Sequence, residues 1–193
     1  GTQRIDVALV IDGSTTMRDD LTTGGRTKRS AAIEAANAFV GTLALPVDQA
    51  AVVGFNGEAW IEQPLTGDRA SIEAALVRIP GFVRERTRID LGIQKAHEEL
   101  TSARRKPANQ PVMIVLTDGL ANPEPASTAA RRAQAAKDDH ITIFTIGLGE
   151  DDQLNVIELA QMASRPEYFY RAPDGEDLLA IYRTIAVEIP CPR

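Results

Sequence analysis

Apolar strand-like runs alternate with helix-like runs along almost the whole of this sequence. The first run, IDVALVI at residues 5–11, is almost wholly apolar, which is typical of a strand that helices cover on both faces. Such alternation favours a parallel sheet, because a helical crossover carries the chain back between consecutive parallel strands. The sequence therefore predicts an α/β fold with a doubly wound, Rossmann-like sheet and the first strand near its centre.

Helices are predicted from apolar residues that recur at intervals of three and four. The first helix is predicted at residues 28–44, where the apolar stripe consists of Ile33, Ala36, Val40 and Leu43. The other predicted helices span residues 68–79, 89–100, 125–137, 153–162 and 176–188, and strands are also predicted at residues 112–117, 141–146 and 168–170.

A hairpin is predicted between residues 50–55 and 59–65. These two strand-like runs flank Asn56 and Gly57, a dipeptide suited to a type I′ turn in which both central residues have positive φ. A hairpin makes one strand antiparallel to an otherwise parallel sheet. Trp60 lies on its second strand and is expected to pack under a helix.

The composition is that of one ordinary globular domain. The 193 residues are 44% hydrophobic and 25% charged, which is enough to build a full core. The net charge of −6 argues against nucleic acid as a partner. No apolar run approaches the ~20 residues that cross a bilayer, so no membrane contact by the domain itself is expected.

The first residues, GTQRID, show neither an initiator Met nor a signal-peptide pattern. The chain is therefore expected to be a domain of a larger protein, and this domain is expected to be monomeric. Residues 1–189 are expected to form the domain, and residues 190–193 a C-terminal linker stub. The stub contains Cys191, the single cysteine, which either is a free thiol or pairs with a residue outside this sequence.

Side-chain oxygens follow the first and fourth predicted strands. Asp12, Ser14 and Thr16 alternate on one loop, so their oxygens can point to a common centre, and Asp118 follows the fourth strand. Ligands of open α/β sheets bind outside the carboxyl ends of strands. Thr87, between the two helices that precede the fourth strand, can add a hydroxyl. Such an all-oxygen set suits a hard divalent cation such as Mg²⁺.

Three segments resemble the von Willebrand factor type A domain of the bacterial type. DGSTTM at residues 12–17 resembles the DxSxS signature of its metal-ion-dependent adhesion site. VMIVLTDG at residues 112–119 is similar to its second acidic strand end, and RTRIDLGI at residues 86–93 to its Thr-bearing loop and helix. The resemblance implies a six-stranded, mostly parallel sheet with one antiparallel edge strand and helices on both faces.

The resemblance also implies a role for each residue of the site. Ser14 and Thr16 would coordinate the metal directly, Asp12 and Asp118 would hold it, often through water, and Thr87 would bind directly or through water. Mg²⁺ is the expected cation, with Mn²⁺ and Ca²⁺ as alternatives.

This sequence departs from the family pattern on two loops. Thr16 stands where Ser is usual, and Thr15 and Arg86 stand where Gly is common, so both loops are expected to be stiffer. The alternative interpretation of the site is that Ser14 and Thr16 cap a turn and that Asp118 caps a helix.

The implied function is non-enzymatic. An Asp or Glu of a partner would complete the metal shell, so the domain would bind a protein ligand in a cation-dependent way. Such a domain is expected outside the cell, or tethered to a membrane and facing outward. The alternative is an assembly module of a larger machine, such as a chelatase-type ATPase complex, which can be cytoplasmic.

Enzyme functions fit the sequence less well. A phosphatase of the haloacid dehalogenase type needs a second Asp two residues after Asp12, where Ser14 stands. A serine hydrolase needs a His base, whereas the two histidines, His97 and His140, are expected to be structural. A metal-dependent hydrolase is therefore the less favoured alternative.

Basic residues flank two loops of the site, either as a rim that steers an acidic ligand or as solvated surface charges. They are Arg26, Lys28, Arg29, Arg84, Arg86 and Arg88. Asp90 is expected to cap the helix that follows Thr87.

Overall fold

Six strands form one sheet in the part of the chain that the computed structural model describes, residues 4–18, 27–79, 86–119, 121, 125–149 and 154–189. The strands are β1 (Ile5–Asp12), β2 (Gln49–Phe55), β3 (Ala59–Thr66), β4 (Gln110–Thr117), β5 (Thr142–Leu148) and β6 (Phe169–Ala172). Their order is β3-β2-β1-β4-β5-β6, and every neighbouring pair is parallel except β2 and β3. The predicted mostly parallel sheet with one antiparallel edge strand is confirmed.

Helices cover both faces of this sheet, as predicted. The described helices are α1 (Lys28–Thr42), α2 (Arg69–Arg78), α3 (Ile89–Leu100), α4 (Ala126–Asp138), α5 (Val156–Met162) and α6 (Gly175–Glu188). Helices α1, α2 and α6 pack on one face, and α3, α4 and α5 pack on the other. Within β1, Val7 and Leu9 belong to the first core, and Ala8 and Val10 to the second. A strand with two buried faces has no solvent-facing side, which explains the apolar run from residue 7 to residue 11.

The direction of the strand order reverses beside β1. The connection through α1 leads from β1 to β2 on one side, whereas β4 lies against the other side of β1. The chain leaves β1 toward one face of the sheet and leaves β4 toward the opposite face. The two loops therefore separate, and a crevice forms between them at the carboxyl edge of the sheet.

The hairpin of β2 and β3 is confirmed, but the predicted type I′ turn is wrong. Among the described residues, positive φ occurs at His140 and Gly149, and neither Asn56 nor Gly57 adopts it. Instead, the Asn56 side chain accepts a hydrogen bond from the Glu58 N–H at 3.0 Å, and the Asn56 N–H donates to the Glu58 carbonyl at 2.8 Å. This Asx turn closes the loop without left-handed backbone geometry.

Trp60 lies against the neighbouring strand, whereas the sequence predicts it under a helix. It is paired with Gly54 across the ladder, and a Cβ on Gly54 would lie 2.4 Å from the indole ring. The indole Nε1–H donates to the Glu62 carboxylate at 2.9 Å. The ring therefore fills the space that a glycine leaves on a strand surface.

Gly54→Ala is expected to destabilise the domain by about 1–3 kcal/mol, because the new methyl group overlaps the Trp60 ring. Chemical denaturation followed by circular dichroism measures the change. Gly41→Ala is the matched control, because nothing lies within 4 Å of a Cβ at this position of α1. The control is expected to gain up to about 1 kcal/mol from helix propensity. Equal losses in both variants would contradict the packing role of Trp60.

Several element ends differ from the prediction. Helix α1 ends at Thr42 instead of residue 44, and the N–H of Ala44 donates to the Asp48 carboxylate at 2.7 Å. The predicted last strand begins one residue later, because Tyr168 lies in a short 3-10 turn. Helix α5 begins at Val156 after its N-cap Asn155, and the predicted start at residue 153 lies outside the described residues.

None of the described helices is long and apolar enough to cross a lipid bilayer. The last described residue is 189, so the predicted linker with Cys191 lies outside the described part of the chain. The boundary between domain and linker stays a prediction.

Candidate metal site

The first loop of the candidate site begins at the last residue of β1. Asp12 is 1% exposed, and its Oδ1 accepts a hydrogen bond from the Ser14 N–H at 2.8 Å. The Gly13 N–H donates to the carbonyl of Phe55 at the end of β2, at 2.6 Å. A short 3-10 turn, Thr15–Arg18, follows directly. These local hydrogen bonds set the direction in which the side chains of the loop point.

Three side chains from two loops form a continuous chain of polar contacts. Ser14 Oγ lies 3.0 Å from Thr16 Oγ1, and Thr16 Oγ1 donates to Asp118 Oδ1 at 2.8 Å. Mg²⁺–O bonds of about 2.1 Å would place adjacent oxygens of an octahedron about 3.0 Å apart. The spacing of these oxygens therefore fits neighbouring positions around such a cation. Ser14 and Asp118 are buried, whereas Thr16 is exposed, so the contact chain reaches solvent.

The hydroxyl of Thr117, which the sequence does not assign to the site, donates a hydrogen bond to Asp12. Thr117, the last residue of β4, donates from Oγ1 to Asp12 Oδ2 at 2.6 Å. Burial, followed by the negative charge of Asp118, raises the pKa of Asp12 from 3.8 to about 6, and hydrogen bonds from Thr117 and Ser14 oppose this rise. An ionised Asp12 is therefore destabilising unless a cation compensates its charge.

Thr87 approaches the loop after β4 from a third segment of the chain. It is 8% exposed, and its Oγ1 lies 3.8 Å from the position that a Cβ would take on Gly119, next to Asp118. The N–H of the following residue, Arg88, donates to the carbonyl of Asn56 at 2.7 Å. The third loop is thus tied to the hairpin and directed toward the crevice.

Close packing of α3 against the sheet sets the position of this third loop. A Cβ on Gly92 would lie 2.8 Å from the Phe55 ring and 3.1 Å from the Val10 side chain. A larger residue would push the first turn of α3, and Thr87 just before it, away from β1. Gly92 therefore serves the geometry of the site without contacting it.

A lysine also contacts a carboxylate of the candidate site. Lys28, the first residue of α1, is 8% exposed, and its Nζ donates to Asp118 Oδ2 at 3.0 Å. Asp118 consequently accepts Thr16 through one oxygen and Lys28 through the other. The sequence predicts Lys28 only as part of a basic rim, and nothing in the sequence indicates its contact with Asp118.

Three of the four residues of the predicted basic rim that the structure describes are engaged in contacts with other protein groups. Arg29 donates to two carbonyl groups at the end of α2, at 3.2 and 3.1 Å. Arg88 pairs with Asp90, and Lys28 with Asp118. Of the rim residues that the structure describes, only Arg86 is exposed. The others, Arg26 and Arg84, lie outside the described residues.

Asp90 does not cap α3, although the sequence predicts this role. The N-cap of α3 is Arg88, and Asp90 lies inside the first turn. Its two carboxylate oxygens accept hydrogen bonds from the Arg88 guanidinium, each at 2.8 Å. The fork of a guanidinium matches a carboxylate in this two-point geometry, and a negative charge in the first turn complements the helix dipole.

The capping alternative does not account for the polar contacts of the site. The helix that follows Asp118 is α4, and its N-cap is Pro125. The described contacts of the Ser14 and Thr16 hydroxyls run between side chains, toward each other and toward Asp118. The three residues therefore form one polar cluster at the crevice.

The donor set consists of oxygens alone, two carboxylates and three hydroxyls. No group of three or more His, Cys, Asp or Glu side chains suited to a metal occurs in the described residues. A cation here would therefore depend on the hydroxyls of Ser14, Thr16 and Thr87 as well as on the carboxylates. Mg²⁺, Mn²⁺ and Ca²⁺ prefer such oxygen ligands, whereas zinc more often takes nitrogen and sulfur.

Both histidines of the chain lie at the opposite edge of the sheet. His97 Nε2 contacts Asp139 Oδ2 at 2.6 Å near the end of α3, and His140 precedes β5 with a φ of 62°. Because β1 and β4 end at the other edge, neither histidine stands beside Ser14 as a general base. The contact with Asp139 agrees with the predicted structural role of His97, whereas the role of His140 stays a prediction.

The described elements define a doubly wound α/β domain with an oxygen-lined crevice at the switch point of its sheet, the place where ligands of such folds bind. More specifically, the chain belongs to the von Willebrand factor type A domain family, whose family model matches residues 6–184. A comparison with curated protein sequences found no match.

Solved structures share the fold at low sequence identity. The vWF domain of the type V pili tip protein Mfa5 from Porphyromonas gingivalis has a TM-score of 0.82 and 17% identity, over 100% of this chain and 98% of that one. Proximal thread matrix protein 1 from the mussel byssus, with a zinc-occupied MIDAS motif, has a TM-score of 0.82 and 19% identity, over 95% of this chain and 47% of that one. The pilus adhesin SpaC from Lactobacillus rhamnosus GG has a TM-score of 0.80 and 16% identity, over 97% of this chain and 30% of that one. The chain thus spans about half of the mussel protein and less than a third of the adhesin.

Proposed function

We propose that this domain binds a divalent cation, Mg²⁺ before Mn²⁺ or Ca²⁺, and uses it to bind an acidic residue of a protein partner. The observation that carries the proposal is the contact chain from Ser14 through Thr16 to Asp118, with oxygen spacings of 3.0 and 2.8 Å. It joins two loops with the oxygen spacing of an octahedral shell. Membership of the von Willebrand factor type A family supports the same conclusion.

The proposed metal residues are Asp12, Ser14, Thr16, Thr87 and Asp118. In this arrangement the hydroxyls are neutral ligands and the two carboxylates supply the negative charge. The Ser14 N–H and the Thr117 hydroxyl hold Asp12 from both of its oxygens, so its carboxylate cannot turn away from the crevice. Such supporting hydrogen bonds orient metal ligands in proteins.

The charge of the site favours an acidic partner. The two carboxylates balance a divalent cation, and the Lys28 ammonium then leaves one positive charge in excess. Five protein ligands also leave one position of an octahedron. When bound, the cation would offer this position to an Asp or Glu of the partner, so the partner's carboxylate would both complete the shell and neutralise the excess charge.

The domain is proposed to act as a non-enzymatic part of a larger protein, outside the cell or facing outward from a membrane. Its structural neighbours include a byssus matrix protein and two pilus proteins. The position of both histidines at the far edge of the sheet argues against a serine hydrolase mechanism at Ser14. The net charge of −6 argues against nucleic acid as the ligand.

Paired peptide libraries test this function directly. One library carries Asp or Glu at a fixed position, the matched library carries Asn or Gln there, and both are selected on the domain in Mg²⁺ and in EDTA. The acidic library alone should be enriched, and only in Mg²⁺, because an amide cannot supply an anionic ligand. Thr16→Val should reduce the enrichment by about tenfold or more, since it removes a ligand hydroxyl at nearly constant shape.

The control for this variant is Thr184→Val, which makes the same substitution on an exposed position of α6. It should leave the enrichment unchanged. Enrichment that persists in EDTA, or that is equal for the two libraries, would contradict the role of the cation in ligand binding.

A further inference from the structure

Lys28 lies at a position where a helix does not favour a cation. It is the first residue of α1, and the positive end of the helix dipole repels an ammonium group there. Lysine is also rarely buried unless it is paired, yet only 8% of Lys28 is exposed. Both costs are offset by the fully buried Asp118 carboxylate, 3.0 Å from the ammonium nitrogen. The contact with Asp118, and not the helix, therefore accounts for a lysine at this position.

Lys28 brings a positive charge to a pair of buried carboxylates. Asp12 and Asp118 are 1% and 2% exposed, and each adds to the negative potential at the other. The two neighbouring arginines are directed elsewhere, Arg29 to carbonyl groups of α2 and Arg88 to Asp90. Among the described basic residues near the site, Lys28 is therefore the one that contacts a site carboxylate.

We propose that the Lys28 ammonium is a tethered cation that shares Asp118 with the divalent metal and thereby sets the metal affinity of the site. This inference rests on the proposed function. One Asp118 oxygen accepts from Thr16, a proposed metal ligand, and the other accepts from Lys28, so lysine and metal draw on the same carboxylate. In EDTA the ammonium compensates the charge of Asp118, and in the presence of metal the same positive charge opposes binding.

This arrangement affects the two binding steps in opposite directions. The lysine lowers the affinity of the site for the divalent metal, so the site is occupied only at a high concentration of the free cation. Its charge also adds to that of a bound cation, which strengthens the attraction for an acidic ligand. A domain of this kind binds its partner only where free divalent cation is abundant.

Lys28→Gln in the whole chain tests the inference, with Mn²⁺ as the probe. Glutamine keeps a hydrogen-bond donor for Asp118 and removes the charge. Calorimetric titration should show that Mn²⁺ binds about tenfold or more tightly, because a unit charge a few ångströms from a divalent ion is removed. Thermal unfolding in EDTA should show a lower midpoint, because Asp118 loses its counter-charge.

Two further variants separate charge in the site from charge near it. Lys28→Arg keeps the charge and should keep the weaker Mn²⁺ affinity. Arg29→Gln removes the same charge from the adjacent residue, whose guanidinium contacts carbonyl groups, and should leave the affinity little changed. Equal tightening in Arg29→Gln and Lys28→Gln would overturn the inference, since general charge would then explain it.

The remaining outcomes distinguish the inference from the proposed function. If the wild type and Lys28→Gln both bind Mn²⁺ with the same dissociation constant, the metal site is confirmed, but Lys28 does not compete with the metal for Asp118 and the inference is wrong. If neither binds, the proposed function fails and the competition with it. A Lys28→Gln protein that is unfolded in EDTA and folds when Mn²⁺ is added supports the inference, because the metal then replaces the missing charge.

Discussion

Mg²⁺ or Mn²⁺ far above its dissociation constant should raise the midpoint of thermal unfolding by about 5–10 °C. A ligand at about 100 times its dissociation constant stabilises the folded state by about 2.7 kcal/mol, and each kcal/mol is worth about 2–4 °C in a domain of this length. Asp12→Asn should abolish the shift, because it removes one of two carboxylates while its amide oxygen can still accept the Ser14 N–H. Differential scanning fluorimetry with and without EDTA measures both results.

Asp68→Asn is the matched control for this experiment. Asp68 caps α2 on the surface by accepting from the Ser71 N–H at 3.1 Å, and asparagine is an equally good cap. Its metal response should equal that of the wild type. A full metal-induced shift in Asp12→Asn would show that Asp12 is not a metal ligand. A wild type whose midpoint is not shifted by Mg²⁺, Mn²⁺ or Ca²⁺ would contradict the metal site as a whole.

Asp12→Asn should also make the metal-free domain more stable than the wild type at neutral pH. Burial and the charge of Asp118 raise the pKa of Asp12 from 3.8 to about 6 in the folded state. The stability associated with this raised pKa is fully present below about pH 4 and is lost as the pH rises through 6. At 1.36 kcal/mol per pKa unit the loss is at most about 3 kcal/mol, and a neutral asparagine avoids it.

Urea denaturation in EDTA, at neutral pH and near pH 4, measures this difference. The advantage of Asp12→Asn should shrink as the pH falls, because the wild-type carboxyl then becomes neutral as well. The buried acids Asp6 and Glu158, whose pKa values are also raised by burial, are present in both proteins and cancel. Asp68→Asn should show no gain at neutral pH, because the Ser71 hydroxyl and N–H lower the pKa of Asp68. A difference in unfolding free energy that is constant with pH would contradict the destabilisation of the folded state by the ionised Asp12 carboxylate.

Together these results would describe a site that is less stable on its own and is completed by its cation. The same carboxylate that costs stability in EDTA is needed for the metal response. Active and binding sites often have this property, since groups suited to a ligand are poorly suited to the protein interior.

Local patterns predicted the helices and strands because burial leaves a period in the sequence. Strand β1 is buried on both faces and apolar from residue 7 to residue 11, and α3 carries its apolar residues on one face. The prediction of a type I′ turn failed because other hydrogen bonds of Asn56 compete with the preference of the Asn-Gly dipeptide for that turn. The Asn56 side chain closes its own turn, and the Asn56 carbonyl accepts from the distant Arg88 N–H. A tertiary hydrogen bond of this kind has no signal in the local sequence.

The candidate site could be located because its residues directly follow predicted strands. Asp12 and Asp118 stand at the ends of β1 and β4, which any parallel arrangement brings to the same edge. Thr117 could not be assigned in this way, because its hydroxyl reaches Asp12 only when β4 lies directly beside β1. The contact of Lys28 with Asp118 depends in the same way on the position of α1 over the crevice.

The sequence by itself determined that strands alternate with helices and that oxygen-bearing side chains follow β1 and β4. Only the tertiary structure decided which charges and hydroxyls compensate one another. The partners are far apart along the chain: 105 positions separate Thr117 from Asp12, and 90 separate Lys28 from Asp118. Hydrophobic periodicity records which face of an element is buried, but it carries no information about which polar side chain a buried carboxylate meets.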